Sequence, residues 1–174
     1  MLTLVTGGSG SGKSEFAENI AVSYKSSNLI YIATMIPYDD ESLKKIERHR
    51  KMRKDKNFST IESFVNLKKL ELPKYSTVLL DCMSNLVANE MYCEDRSKEN
   101  IVEIILQGIN HINDISNNLV IVTNEVFSDG IEYDIETKKY LKNLGKINQE
   151  ICKIADTVVE VVYEIPIYHK GGNI

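Results

Sequence analysis

The chain has 174 residues, of which 43% are hydrophobic and 26% are charged, and its formal net charge is −4. These values predict a single globular domain over residues 1–174, and they lack the basic excess typical of nucleic-acid-binding proteins. Three widely spaced cysteines argue against a disulfide framework or a zinc site, and no apolar run is long enough to span a bilayer. Since a strand pattern begins at the first residues, we expect no signal peptide and a cytoplasmic location.

Short β-prone runs alternate with longer helical patterns along the chain. The predicted strands are 2–6, 29–33, 77–80, 119–123 and 157–163, and the predicted helices are 14–24, 40–54, 84–91, 100–115 and 136–155. Nearly continuous apolar strands are typical of a sheet covered on both faces. The alternation therefore predicts an α/β fold with a mostly parallel central sheet flanked by helices. We expect the irregular segment 57–74 to run over the surface and the tail from residue 168 to be mobile at its end.

A glycine-rich segment, GGSGSGKS, joins the first strand to the first helix. It matches the phosphate-binding loop (P-loop) pattern, whose backbone N–H groups surround phosphate oxygens at a helix N-terminus. The alternative is a glycine-rich turn with no ligand. In a P-loop the lysine reaches the β- and γ-phosphates, and the serine hydroxyl binds Mg²⁺. The predicted nucleoside-triphosphate-binding residues are Gly7, Gly8, Ser9, Gly10, Ser11, Gly12, Lys13 and Ser14.

Two carboxylates follow later strands, at the sheet edge where ligands bind in folds of this kind. Asp81 ends an apolar strand and is the expected second Mg²⁺ ligand beside Ser14; the alternative is a helix N-cap. Glu125 is a candidate catalytic base or metal ligand, and a solvated loop carboxylate is an equally good interpretation. The chain has no guanine-binding motif of the switch-GTPase type.

The helix predicted over 40–54 has an acidic start and a basic end. Lys45, His49 and Arg53 recur every four residues and so share one helical face. A neutral imidazole between two cations can attack a phosphorus atom while the cations hold the phosphate oxygens. From the residues alone, a solvated basic face with an incidental histidine is the favoured interpretation.

Taken in order, these motifs resemble the bifunctional adenosylcobinamide kinase / adenosylcobinamide-phosphate guanylyltransferase family of cobalamin biosynthesis. The likeness spans nearly the whole chain. It includes the P-loop, Tyr31-Ile32-Ala33-Thr34, His49, Leu80-Asp81-Cys82 and Asn124-Glu125-Val126. Two departures are Lys45, where the family has an arginine, and Phe58, where it usually has a tryptophan; lysine keeps the charge but loses the bidentate fork.

The resemblance implies a P-loop NTPase with a sheet of the recombinase-like ATPase type, assembled as a homo-oligomer, commonly a trimer. It implies phosphorylation of the aminopropanol hydroxyl of adenosylcobinamide by ATP or GTP with Mg²⁺. GMP is then transferred from GTP to the product through a GMP-histidine intermediate. On this resemblance His49 is the nucleophile, which reverses the interpretation from the residues alone. Thr60 and Glu62 belong to the guanylyl-transfer pocket, and Lys13 and Glu125 complete the predicted catalytic set.

Two other functions stay open at this point. A monofunctional small-molecule P-loop kinase needs no histidine adduct. A nucleotide-dependent switch or assembly ATPase needs no acceptor substrate, and the absence of a glycine three residues after Asp81 counts against it.

Overall fold

The computed structural model describes residues 1–93, 100–128 and 130–172. Within these ranges the chain forms seven strands and five α-helices, with a short 3₁₀ turn at Leu67–Lys69. The strands are β1 Leu2–Thr6, β2 Asn28–Ala33, β3 Ser59–Glu62, β4 Ser76–Asp81, β5 Asn118–Val122, β6 Thr157–Val162 and β7 Ile165–Lys170. The helices are α1 Lys13–Ser23, α2 Asp40–Arg53, α3 Met83–Tyr92, α4 Ile101–Ile115 and α5 Ile135–Ile154.

All seven strands belong to one sheet in the order β3-β2-β4-β5-β1-β6-β7. Every pairing is parallel except that of β6 with β7, which is an antiparallel hairpin. Ala33 of β2 pairs with Asp81 of β4, and Asp81 pairs with Val122 of β5. The carboxyl ends of the central strands are therefore level with one another, and the loops that leave them meet at one edge of the sheet.

Helices cover both faces of the sheet, as the apolar strands require. Residues of α3, α4 and α5 pack on one face in the larger core cluster, which includes Leu86, Ile105 and Ile147. Residues of α1 pack on the other face around Val5 and Val122. In the part of the chain that the structure describes, no helix has the length and hydropathy needed to cross a membrane.

Helix α2 differs from the others because Arg53 is its only buried residue. Its N-terminus is fixed by a capping box, in which Asp39 accepts a hydrogen bond from the Ser42 N–H at 2.8 Å and the Ser42 hydroxyl accepts one from the Asp39 N–H at 3.0 Å. The Asp39 side chain at the start of this helix is thus structural. Of its apolar residues, Leu43 is exposed and Ile46 and Met52 are only partly buried, so hydrophobic burial contributes little to holding α2 on the molecule.

The structure differs from the sequence-based prediction in two segments. Segment 57–74 contains β3, which pairs with β2, and Leu67, which is 3% exposed in the core. Gly108 of α4 permits this approach, because a Cβ there would lie 2.9 Å from the Leu67 Cβ. Residues 168–170, expected to belong to a C-terminal tail, instead lie in β7, and the last residues, 173–174, lie outside the described part of the chain. Both edge strands are mostly exposed, so they lack the continuous apolar pattern that revealed the central strands.

Candidate active site

The site is built from the loops that follow β1, β2, β4 and β5, with α2 lying over them. Hydrogen bonds tie these loops together: Thr34 N–H to the Asp81 carbonyl (3.3 Å), Thr123 N–H to the Val5 carbonyl (2.9 Å) and Glu125 N–H to the Gly7 carbonyl (3.0 Å). Together these loops form an open cleft. Its lining residues are Lys13, Ser14, Tyr31, Ala33, Met35, Lys45, Ile46, His49, Arg50, Arg53, Thr60, Glu62, Asp81, Cys82 and Asn124.

The P-loop is held in shape by its glycines and by the β6–β7 hairpin. Gly10 and Gly12 have φ values of +73° and +91°, which favour glycine, and α1 begins directly after Gly12. The Glu164 N–H at the hairpin turn donates to the Ser11 carbonyl at 2.8 Å. A loop of this shape, ending at a helix N-terminus, is an anion-binding site.

Lys13 lies at the junction of the P-loop and the cleft. Its Nζ donates to the Gly8 carbonyl at 3.1 Å, and the residue is 9% exposed. Burial holds the pKa of Lys13 below its ordinary value, although the nearby Asp81 charge raises it. An ammonium group with this little water gains strongly from an anionic ligand.

Asp81 is the centre of the polar contacts in the cleft. Its Oδ2 accepts a hydrogen bond from the Tyr31 hydroxyl at 3.1 Å, and the same oxygen lies 3.2 Å from His49 Nδ1. The distance between His49 Nδ1 and Asp81 Oδ2 is that of an ion pair, but the two groups are not aligned for a hydrogen bond. Burial, followed by the Asp81 charge, raises the pKa of Tyr31. The N-cap of α3 is Cys82 rather than Asp81, so the alternative capping role of Asp81 does not hold.

The face of α2 predicted from the four-residue spacing is turned toward the cleft. Lys45, His49 and Arg53 all line it, and His49 has a side chain only 16% exposed. The Arg53 guanidinium carbon lies 3.3 Å from the centroid of the Tyr31 ring. His49 therefore faces a carboxylate instead of solvent, although Lys45 on the same helical face is exposed.

The second side of the cleft comes from β3. Thr60 and Glu62 line it, and Glu62 lies 3.5 Å from Arg50 Nη2 in an exposed ion pair. Because β3 pairs in parallel with β2, its carboxyl end lies beside Ala33 at the same edge of the sheet.

Glu125 is the predicted catalytic residue that the structure does not bring into the cleft. Its Oε1 accepts hydrogen bonds from the Phe127 N–H at 3.0 Å and the Ser128 hydroxyl at 2.9 Å. These bonds direct the carboxylate into its own turn. Cys82, in contrast, lines the cleft, but burial raises the pKa of its thiol to about 11, so it is a thiol rather than a thiolate at neutral pH.

The residues that could hold a metal ion are Ser14 and Asp81, which line the same cleft. Among the described residues, no three His, Cys, Asp or Glu side chains group into a self-sufficient metal site. One hydroxyl and one carboxylate suit Mg²⁺, which keeps several waters and binds substrate phosphates. The donor set fits Mg²⁺ held jointly with a nucleotide.

Sequence reasoning assigned no role to three residues that matter to this geometry. Tyr31 contacts Asp81, and Asn124 lines the cleft beside it. Glu18 of α1 is fully buried and lies against Arg53 and Lys56. Its signal in the sequence is a carboxylate between Ala17 and Ile20, on the apolar face of α1.

The sheet is mostly parallel, the P-loop leads directly into α1, and an acidic strand end lies in the same cleft. These features define the fold of a P-loop NTPase of the recombinase-like ATPase type. Among solved structures, the flagellar accessory protein FlaH from Methanocaldococcus jannaschii is similar, with a TM-score of 0.52 and 13% identity over 98% of this chain and 78% of that one. A likeness at this identity supports the fold alone.

The family is shown by sequence comparison. Residues 3–168 match the family described as "Cobinamide kinase / cobinamide phosphate guanyltransferase". Curated relatives include the bifunctional adenosylcobalamin biosynthesis protein CobU of Escherichia coli, 31% identical over 96% of this chain and 98% of its own length. The protein of the same name from Salmonella typhimurium is 28% identical, with the same coverage of each chain. The chain belongs to this family of transferases, as its motifs predict.

Proposed function

We propose that this one cleft carries out both reactions of the family: phosphorylation of the aminopropanol hydroxyl of adenosylcobinamide, and transfer of GMP from GTP to that phosphate. The observation that carries the proposal is the position of His49. Its imidazole lies in the same cleft as Lys13 of the P-loop, with Nδ1 3.2 Å from Asp81. A kinase alone needs the P-loop but has no need of an imidazole over its acidic strand end.

In the phosphoryl transfer step, the P-loop binds the triphosphate and Lys13 donates to its terminal oxygens. Because Lys13 is largely dehydrated, its charge acts at short range on the oxygens that gain negative charge. Ser14 and Asp81 would hold Mg²⁺, which would neutralise phosphate charge. The protein contributes position and electrostatic stabilisation, which is what this chemistry requires.

In the guanylyl transfer step, His49 is the nucleophile. Asp81 lies against Nδ1 and favours the proton on that nitrogen, so Nε2 carries the free lone pair. Nε2 forms a bond to the α-phosphorus of GTP while the bond to the bridging oxygen breaks, and pyrophosphate leaves with that electron pair. The phosphate of the acceptor then attacks the same phosphorus, and the P–N bond breaks to restore the imidazole.

The cationic side chains around His49 support the same step. Lys45 flanks the histidine on its helical face and holds the phosphate oxygens during attack. Arg53 adds positive charge to the same side of the cleft, with its guanidinium held between Glu18 and the Tyr31 ring. Thr60 and Glu62 supply polar groups on the β3 side, where a base and ribose can bind. The Glu125 carboxylate, bound to its own turn, supports the shape of the loop that carries Asn124.

The setting that we propose follows from the same features. The chain acts as one nucleotide-binding domain on small molecules, not on nucleic acid, in agreement with its net charge of −4. Its three cysteines are unpaired, as in a reducing cytoplasm. The exposed apolar side chains of Ile165 and Ile167 on edge strand β7 suit contact with other copies in a homo-oligomer, such as a trimer.

The test separates the two steps with a His49→Ala variant. We expect phosphorylation of adenosylcobinamide to continue and guanylyl transfer to fall to background, because only the second step needs the imidazole. His169→Ala is the matched control, since His169 is on the exposed strand β7 and contacts Glu160 at 3.0 Å. Full guanylyl transfer by His49→Ala would refute the nucleophile. If the unsubstituted enzyme transferred neither phosphate nor GMP to an acceptor, that result would instead favour a switch or assembly ATPase.

A further inference from the structure

A buried ion cluster fixes the end of α2 that carries the proposed nucleophile. We infer that Glu18, a residue of α1 outside the cleft, is a positioning residue for guanylyl transfer: through Arg53 and Lys56 it holds α2 where His49 faces Asp81. The inference rests on the proposed function and extends it to a residue that contacts neither substrate nor nucleophile.

Helix α2 lacks a fully buried apolar face. Arg53 is the only buried residue of this helix, and Leu43 is 52% exposed. A surface helix normally keeps its place by burying an apolar stripe. Since Ile46 and Met52 are only partly buried, apolar burial alone does not fix the position of α2. The buried polar contacts of this helix lie at its Arg53 end.

Glu18 is buried between two cations. Its side chain is 1% exposed, and its Oε2 accepts a hydrogen bond from Lys56 Nζ at 2.8 Å. Its Oε1 lies 3.8 Å from Arg53 Nη1 without hydrogen-bond alignment. Both cations come from the end of α2 and the turn that follows it. A carboxylate buried this deeply requires its cations nearby, so the charge of Glu18 determines where that end lies.

A continuous series of contacts links Glu18 to the proposed nucleophile, His49. Arg53, held by Glu18, stacks on the Tyr31 ring, and the Tyr31 hydroxyl donates to Asp81 Oδ2, the oxygen that also faces His49. His49 and Arg53 are one helical turn apart on the same face of α2. The contacts thus run without a break from a buried carboxylate on α1 to the imidazole.

The buried cluster of Glu18, Arg53 and Lys56 contributes to specificity of the arrangement more than to stability. A buried ion cluster is seldom more stable than apolar side chains of the same volume, whereas it specifies one arrangement of the groups that it joins. Glu18 thereby specifies where Arg53 lies on the Tyr31 ring, whose hydroxyl contacts Asp81.

The experiment compares Glu18→Gln with Glu47→Gln under single-turnover conditions at saturating GTP. Glu47 also forms an ion pair of α2, with Lys51 at 3.0 Å, but both side chains are mostly exposed. We expect Glu18→Gln to slow formation of the GMP adduct on His49 by about tenfold or more, because small misplacement of a nucleophile has large effects on rate. GTP affinity and the kinase rate should change by no more than about twofold, and Glu47→Gln should resemble the unsubstituted enzyme.

The ratio of the two activities separates positioning from general destabilisation. A merely structural role would lower both activities together, since both use the P-loop, and equal losses would overturn the inference. Adduct formation by Glu18→Gln at the unsubstituted rate would overturn it as well. If Glu18→Gln does not fold, Lys56→Met, whose side chain is 22% exposed, replaces it with the same expected ratio. Absence of any adduct in the unsubstituted enzyme would refute the proposed function itself.

Discussion

Two adjacent glycines of the P-loop should respond very differently to the same substitution. A Cβ added to Gly7 would lie 2.6 Å from the Val161 carbonyl oxygen and 2.6 Å from the Ser11 hydroxyl, whereas one added to Gly8 would meet nothing within 4 Å. The Ser11 side chain can rotate, but the Val161 oxygen belongs to the backbone of β6 in the sheet. Gly7→Ala must therefore displace either the P-loop or β6.

The expected cost of Gly7→Ala is that of overpacking, about 1–3 kcal/mol in the free energy of unfolding. For a chain of this size that lowers Tm by roughly 2–12 °C. Gly8→Ala should stay within about 0.5 kcal/mol. Thermal and urea denaturation of both variants without nucleotide measures the difference directly. Equal stabilities of the two variants would refute the packing of the P-loop against β6.

Three other substitutions test separate parts of the site. Lys13→Met should lower phosphoryl transfer about 10²–10³-fold in initial-rate assays. The folded protein holds the pKa of Lys13 below its ordinary value of 10.5. Between the folded-state pKa and 10.5 the unfolded chain therefore binds more protons than the folded one, so the free energy of unfolding rises with pH in that range. Lys13→Met should remove that rise, and an unchanged pH profile would contradict the burial of the charge. Asp81→Asn keeps an acceptor for Tyr31 but loses the charge facing His49, so single-turnover adduct formation should fall about 10- to 100-fold; an unchanged rate would exclude Asp81 as the orienting group. Glu125→Gln keeps the acceptor used by its own turn, so both activities should remain within about twofold, whereas a catalytic base would require a loss of about 10²-fold or more.

The central strands, the P-loop and the cationic face of α2 were predictable because their signals are local. Apolar runs report burial on both faces, and a four-residue spacing places Lys45, His49 and Arg53 on one side of a helix. Asp81 was predictable from its position at a strand end. The prediction of a mostly parallel central sheet flanked by helices, of the recombinase-like ATPase type, is confirmed.

Contacts between distant segments could not be predicted from the sequence, because no local pattern reports them. Edge strands β3 and β7 are exposed, and their patterns resemble those of loops. Whether Asp81 caps a helix or accepts from Tyr31 depends on the distance between β2 and β4, which only the fold determines. The same holds for Glu18, whose sequence position indicates burial but does not reveal the cations from α2 that compensate it.

The central claim is that His49 accepts GMP in the cleft formed by the P-loop and Asp81. Intact-protein mass spectrometry after incubation with GTP and Mg²⁺, followed by sequencing of the modified peptide, tests it most directly. We predict one covalently bound GMP per chain, labile to acid and attached at His49. A GMP attached to another residue, or an enzyme that phosphorylates adenosylcobinamide and completes guanylyl transfer without any adduct, would contradict the claim.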